Sequence, residues 1–145
     1  MKVNKYTAVL VRDRSVNYDE AADRPDAIVE MLRRAFKADV LPNEHIWEIC
    51  LNSRLNVVGL FEVGIGATSY CVTDIAGVAR NALLTGAAGV VLVHNHPSGN
   101  LEASNDDVAM TKRVRDGLEL LGIQLQDHLI VSNKGYVSMR EDGLI

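Results

Sequence analysis

His94, His96 and Asp107 lie within the stretch His94-Asn95-His96-Pro97-Ser98-Gly99-Asn100-Leu101-Glu102-Ala103-Ser104-Asn105-Asp106-Asp107, and all three are residue types that ligate divalent metals. The apolar run Val90-Val91-Leu92-Val93 just ahead reads as a buried strand. Side chains two apart in an extended chain share a face, so His94 and His96 can converge on one point while Asn95 turns away. Pro97 and Gly99 then break the strand. A helical pattern opens at Ser104-Asn105-Asp106-Asp107, which places Asp107 in the first turn, able to fold back towards the histidines. Two imidazoles and a carboxylate leave a fourth position for water. Zinc sites of this kind are typically catalytic, because the pKa of that water falls to about 7. Hydrolysis with one zinc ion per chain is the chemistry these residues point to.

Simpler readings exist for each part. Ser104 and Asp107 form a capping box, in which the hydroxyl accepts from a first-turn amide and the carboxylate reaches back. A His-x-His pair alone serves a surface as readily as a metal. The strand exit, the two histidines on one face, the Pro-Ser-Gly break and the helix-opening aspartate together make a composite that chance rarely assembles.

His-x-His, seven residues, Ser, two residues, Asp is also the pattern of the JAMM (MPN-plus) metalloprotease domain, and His94, His96, Ser104 and Asp107 fill it without gaps. The stretches HNHPSG, HIWEICLNSRLNVVG and LGIQLQDHLIVSNKGYVSMRE resemble the C-terminal JAB domain of bacterial RadC-like proteins over residues 25–141. The resemblance implies a single-domain, three-layer α/β/α fold with a mixed, largely antiparallel sheet, similar to cytidine deaminases. It also implies a zinc ion and a glutamate on an earlier strand acting as general base, assigned here to Glu62 of Phe61-Glu62-Val63-Gly64. A charge in that apolar run is costly to bury unless it faces a site or solvent, and an outward strand position is the alternative.

The implied reaction is cleavage of an amide in a peptide or protein substrate by a metallopeptidase or isopeptidase. Glu62 would take the proton of the attacking water and hand it to the leaving amine. Ser104 would donate to the developing oxyanion, worth about 3 kcal/mol when preorganised, or would only cap its helix. Two other classes stay open: a metal-dependent nuclease or accessory factor in DNA repair or mobile elements, and a non-catalytic interaction domain. Zinc deaminases of related fold need His-x-Glu and Pro-Cys-x-x-Cys, and the sequence contains neither.

Longer RadC-like proteins carry a helix-hairpin-helix region ahead of this domain. Residues 1–24 contain no such pattern and are expected to supply an N-terminal strand at Tyr6-Thr7-Ala8-Val9-Leu10-Val11 and a polar loop. Residues 25–145 form the expected metal-binding domain. A chain of 145 residues with 48% hydrophobic content can bury one core and is not a disordered sequence. Its net charge of −4 gives no global attraction to nucleic acid. Arg33 and Arg34, and Lys112, Arg113 and Arg115, read as solvated helix faces. Cys50 and Cys71 read as buried free thiols, which suits a reducing cytoplasm. The start Met1-Lys2-Val3-Asn4-Lys5 is read as lacking an apolar core of signal-peptide length, and no run approaches the roughly 18 apolar residues of a membrane span. Exposed sheet edges could pair into a homodimer.

The spacing predicts a helix from Pro25 to Phe36, a hairpin of Ile46–Leu51 with Val57–Ile65, and a second helix capped by Thr73 or Asp74 and ending near Gly86. Strand Gly89–His94, a third helix from Asn105 to Leu121, and a hairpin of Leu125–Ser132 with Tyr136–Met139 complete the pattern. His128, after Asp127 on a strand, reads either as a partner of a metal ligand or as a structural histidine. His45, next to Glu44, reads as loop surface.

Overall fold

The computed structural model describes residues 1–19, 22–66 and 73–145. Among them the elements run α1 (Pro25–Phe36), β1 (His45–Leu51), β2 (Val57–Ile65), α2 (Ile75–Thr85), β3 (Gly89–Asn95), α3 (Asn105–Leu120), β4 (Gln124–Ser132) and β5 (Gly135–Ser138). One sheet holds the strands in the order β2-β1-β3-β4-β5. β3 and β4 run parallel, joined by α3, and the other three pairings are antiparallel.

Both faces of the sheet are covered, as the expected α/β/α layering requires. Pro25 presets the first turn of α1, and Ile28, Met31 and Leu32 at helical spacing bury against Trp47, Ile49, Val91, Val93 and Leu129. On the opposite face, Val78 and Ala82 of α2 and Val114 and Leu118 of α3 pack on Ile46, Val90, Leu92 and Leu125. Each fully buried Leu or Ile of this kind contributes about 1.5–3 kcal/mol. Every residue of β3 is buried, which is why its sequence is a continuous apolar run and not an alternation. Asp74 caps α2 by accepting from the Ala76 amide, and Gly86 ends that helix in the left-handed conformation.

The expected N-terminal strand does not form. Residues 1–19 carry no regular structure, and Tyr6, Val9 and Val11 are exposed. The alternation of Tyr6 to Val11 suits a strand, but a strand exists only within a ladder, and among the described residues nothing pairs with this run. Arg33 departs from a solvated role, since its guanidinium donates to the Ser132 and Gly135 carbonyls and straps α1 to the β4–β5 turn. Cys50 is buried and free, with its thiol pushed up to about 12 by burial. Cys71 lies outside the described residues. No helix among the described residues is long and apolar enough to cross a membrane.

One core carboxyl gives the fold a pH dependence. Glu48 of β1 is fully buried, accepting from Asn81 Nδ2 (3.0 Å) and Cys50 Sγ (3.4 Å). Burial outweighs both contacts and pushes it from an ordinary 4.5 up to about 7. The unfolded chain releases this proton at lower pH than the fold does. Stability is therefore undiminished below the ordinary carboxyl range, falls as pH rises towards 7, and stays reduced above it by about 3 kcal/mol. Glu48→Gln should raise the melting temperature at pH 8 by roughly 6–12 °C and leave it nearly unchanged at pH 4.5, read by thermal unfolding at both values.

Candidate metal centre

The candidate ligands gather where β3 leaves the sheet. His94 follows the parity of Val90 and Leu92 and so points to the α2–α3 side, where it is 1% exposed. His96 lies just past the strand, but its amide still donates to the Val131 carbonyl of β4 at 2.8 Å, so the backbone remains pinned. The chain then turns at Gly99, whose φ of +84° favours glycine.

Asp107 arrives from α3. Ser104 Oγ accepts from the Asp107 amide (3.0 Å) and Asp107 Oδ2 accepts from the Ser104 amide (2.8 Å), which is the capping box the sequence suggests. The cap fixes the carboxylate over the two imidazoles. Asp107 Oδ1 lies 3.4 Å from His94 Nε2, Oδ2 lies 3.3 Å from His96 Nε2, and the two Nε2 atoms are 2.8 Å apart. One ligand atom from each residue falls within 4.8 Å of the others, a group that could hold a metal ion. Ring nitrogens this close must share a hydrogen or face a common cation, since two bare lone pairs would repel. The donor set, two nitrogens and a carboxylate, suits such a cation.

The remaining ring nitrogens are all engaged. His96 Nδ1 donates to the Asn100 carbonyl at 2.6 Å, an acceptor only, so Nε2 is the nitrogen available to the centre. His94 Nδ1 meets His128 Nε2 at 2.7 Å, and His128 Nδ1 meets Thr111 Oγ1 at 2.6 Å. Burial lowers both His94 and His128, which keeps these rings neutral. Burial also works against charge on His96, but Asp107 and the Asn100 carbonyl prevail and raise it. For Asp107 burial acts upward, yet the two histidines and the Ser104 amide hold the carboxyl far below the usual range.

The carboxylate added to this group is not Glu62. In β2 the flanking Phe61 and Val63 pack on the α2–α3 side, so alternation sends Glu62 to the other face. There it stands opposite Trp47 in the ladder and pairs with His45 Nδ1, while the His45 ring stacks on Trp47. Glu62 is brought together with His45 and not with the three ligands, which corrects the expected placement. The charge in the apolar run is explained by a half-exposed strand position and an imidazole partner.

His45, expected as loop surface, instead opens β1, and the carboxyl coupled electrostatically to His96 and Asp107 is that of its neighbour Glu44. Glu44 precedes β1 and is 7% exposed. Burial raises its carboxyl; His96 acts to lower it and Asp107 to raise it, so its charge is felt within the centre. Asn95 holds the loop that carries it: Oδ1 accepts from the His45 amide (2.6 Å) and Nδ2 donates to the Asn43 carbonyl (3.0 Å). The sequence held one usable signal for Glu44, namely that a strand antiparallel to β3 must start beside the end of β3.

Residues 22–144 match the model of the RadC-like JAB domain. A UPF0758 protein of Thermotoga maritima is 36% identical over 121 residues, which is 83% of this chain and 54% of that protein. A UPF0758 protein of Clostridium acetobutylicum is 32% identical over 131 residues, 90% of this chain and 55% of its own. The chain thus spans about half the length of the curated relatives it matches.

Ser104 is exposed, and its bond to the Asp107 amide is a cap in its own right. Ser104→Ala should cost about 1 kcal/mol of stability in chemical denaturation, through loss of that cap.

Proposed function

Because this chain belongs to the RadC-like JAB domain family, we propose that it is a zinc-dependent hydrolase that cleaves an amide bond in a peptide or protein substrate. The observation that carries this is the convergence of His94, His96 and Asp107 on one point, with the buried Glu44 coupled electrostatically to His96 and Asp107. The residues fit the ion: both imidazoles turn Nε2 inward, and the third donor is an anionic oxygen. Bound there, zinc would supply Lewis acidity and make water a nucleophile near neutral pH.

The chain's own residues divide the remaining work. Glu44 accepts the proton of the attacking water on its carboxylate and returns it to the leaving amine; its raised affinity for a proton suits both halves of that task. The Oγ lone pairs of Ser104 already serve the Asp107 amide, so the hydroxyl hydrogen is what it offers to a developing oxyanion. Asn95 positions Glu44 through the loop at 43–45. Glu62 has no part in the chemistry. Buried free Cys50 supports a reducing, cytoplasmic setting, and the outer edges of β2 and β5 offer surfaces for a homodimer. A role in DNA metabolism, as nuclease or accessory factor, has the RadC name behind it, while the net charge of −4 does not favour it.

Zinc content by plasma mass spectrometry, beside turnover on a fluorogenic peptide library, tests the proposal. One zinc per chain is expected in the unaltered protein and none in Asp107→Ala. Glu44→Gln should keep the zinc and lose hydrolysis by roughly 100-fold or more, the lower bound of what a general base supplies, whereas Glu62→Gln should keep both. An unaltered protein that takes up no zinc overturns the proposal. Zinc-loaded protein that cuts DNA and no peptide moves the assignment to the nuclease.

A further inference from the structure

The Thr111 hydroxyl donates to the Asp107 carbonyl of the preceding helical turn at 2.6 Å, and this one contact sets the direction of a buried chain of hydrogen bonds. A carbonyl can only accept, so the single hydroxyl hydrogen of Thr111 is committed there. Thr111 Oγ1 must then accept from its other partner, His128 Nδ1, which therefore carries the ring hydrogen. A neutral imidazole with hydrogen on Nδ1 has its lone pair on Nε2, and that lone pair faces His94 Nδ1 at 2.7 Å. His94 must accordingly hold its hydrogen on Nδ1. Its Nε2 is left bare, turned towards Asp107 and His96.

Every link is sealed from water. Thr111 and His128 are fully buried and His94 is 1% exposed, so no solvent molecule competes to reverse the direction. His128 is held from the other side by Asp127, whose Oδ1 accepts from the His128 amide (2.7 Å) and whose Oδ2 accepts from Ser138 Oγ (2.6 Å). A buried histidine pair with opposite hydrogen placements would instead present an N–H to the centre and block ligation.

We propose that His128 and Thr111 are positioning residues: together they fix the tautomer of His94 so that Nε2 is the metal-binding nitrogen. This rests on the zinc-centre reading above for its consequence, though not for the tautomer itself. Thr111→Val keeps the side-chain shape and removes the hydroxyl. His128 then has no acceptor for Nδ1–H, its hydrogen moves to Nε2, and it donates to His94 Nδ1. His94 in turn is forced to carry its hydrogen on Nε2, and the ligand is lost although no ligand residue has been changed.

Two readouts at one fixed pH test the inference. Nitrogen-15 NMR of the metal-free protein should show His94 with hydrogen on Nδ1 in the unaltered protein and in Thr111→Ser, and on Nε2 in Thr111→Val. Competition for Zn2+ against a chromophoric chelator should show affinity lowered about 10-fold to 100-fold in Thr111→Val and in His128→Phe, and close to normal in Thr111→Ser. Thr111→Val that keeps both the Nδ1 hydrogen and the affinity overturns the inference. So does lowered affinity with an unchanged tautomer, which would mark a packing defect. If the unaltered protein binds no zinc while the tautomer shifts as stated, the zinc-hydrolase proposal fails and the positioning of His94 stands.

Discussion

The parallel pairing of β3 with β4 is the constraint on which the centre depends. Parallel neighbours cannot be joined by a tight turn, so the chain must leave the end of β3, cross one face of the sheet and re-enter at the start of β4. α3 makes that crossing, and its first turn therefore hangs over the point where β3 stops. His94 and His96 come from the exit, Asp107 from the first turn of the crossing helix and His128 from the strand it leads into. Remove the parallel pair and the four residues have no reason to meet. The same crossing puts Thr111, one turn further along α3, over His128.

Burying this much polar surface at the end of an apolar strand would be costly if any atom were left unpaired. The centre meets that demand with short backbone-anchored contacts: Asn100 for His96, the Asp107 carbonyl for Thr111, the Asn43 carbonyl for Asn95. Carbonyls have a fixed polarity, and each one orients the chain of side chains that ends on it. Glu48, two residues into β1 from Ile46, shows the contrast. Its partners are an amide and a thiol, neither of them a charge, and its carboxyl rises to about 7 without any centre to serve. Glu44, just ahead of the same strand, has His96 and Asp107 within electrostatic reach.

Much of this was legible in the sequence wherever the information was local. His94, His96, Ser104 and Asp107 fall within a few residues of one strand-to-helix junction, and their geometry follows from strand alternation and a capping box. The helix at Pro25–Phe36 and both hairpins were readable from spacing, and their ends differ by a residue or so. The failures all concern pairing across distance. Tyr6 to Val11 has the composition of a strand, but composition does not supply a partner. Glu62 is a charge in an apolar run, but its neighbours Phe61 and Val63 both turn inward, and alternation then sends Glu62 out. His128 could be read either way, since nothing local says which helix side chain will stand over a strand histidine.

Glu44 is the instructive case, because its position follows from topology with no side-chain information at all. β1 is antiparallel to β3, and Ile46 stands opposite His94. Running backwards along β1 is therefore running forwards along β3: the residue two before Ile46 must lie level with the residue two beyond His94, which is His96. Asn95 turns that register into a bond, clasping the backbone on both sides of Glu44 through Asn43 and His45. A carboxylate just ahead of the first central strand is thus carried to the ligands by the sheet itself. The Asn95 side chain, which alternates away from His94 and His96, becomes the clasp that holds the backbone on both sides of Glu44.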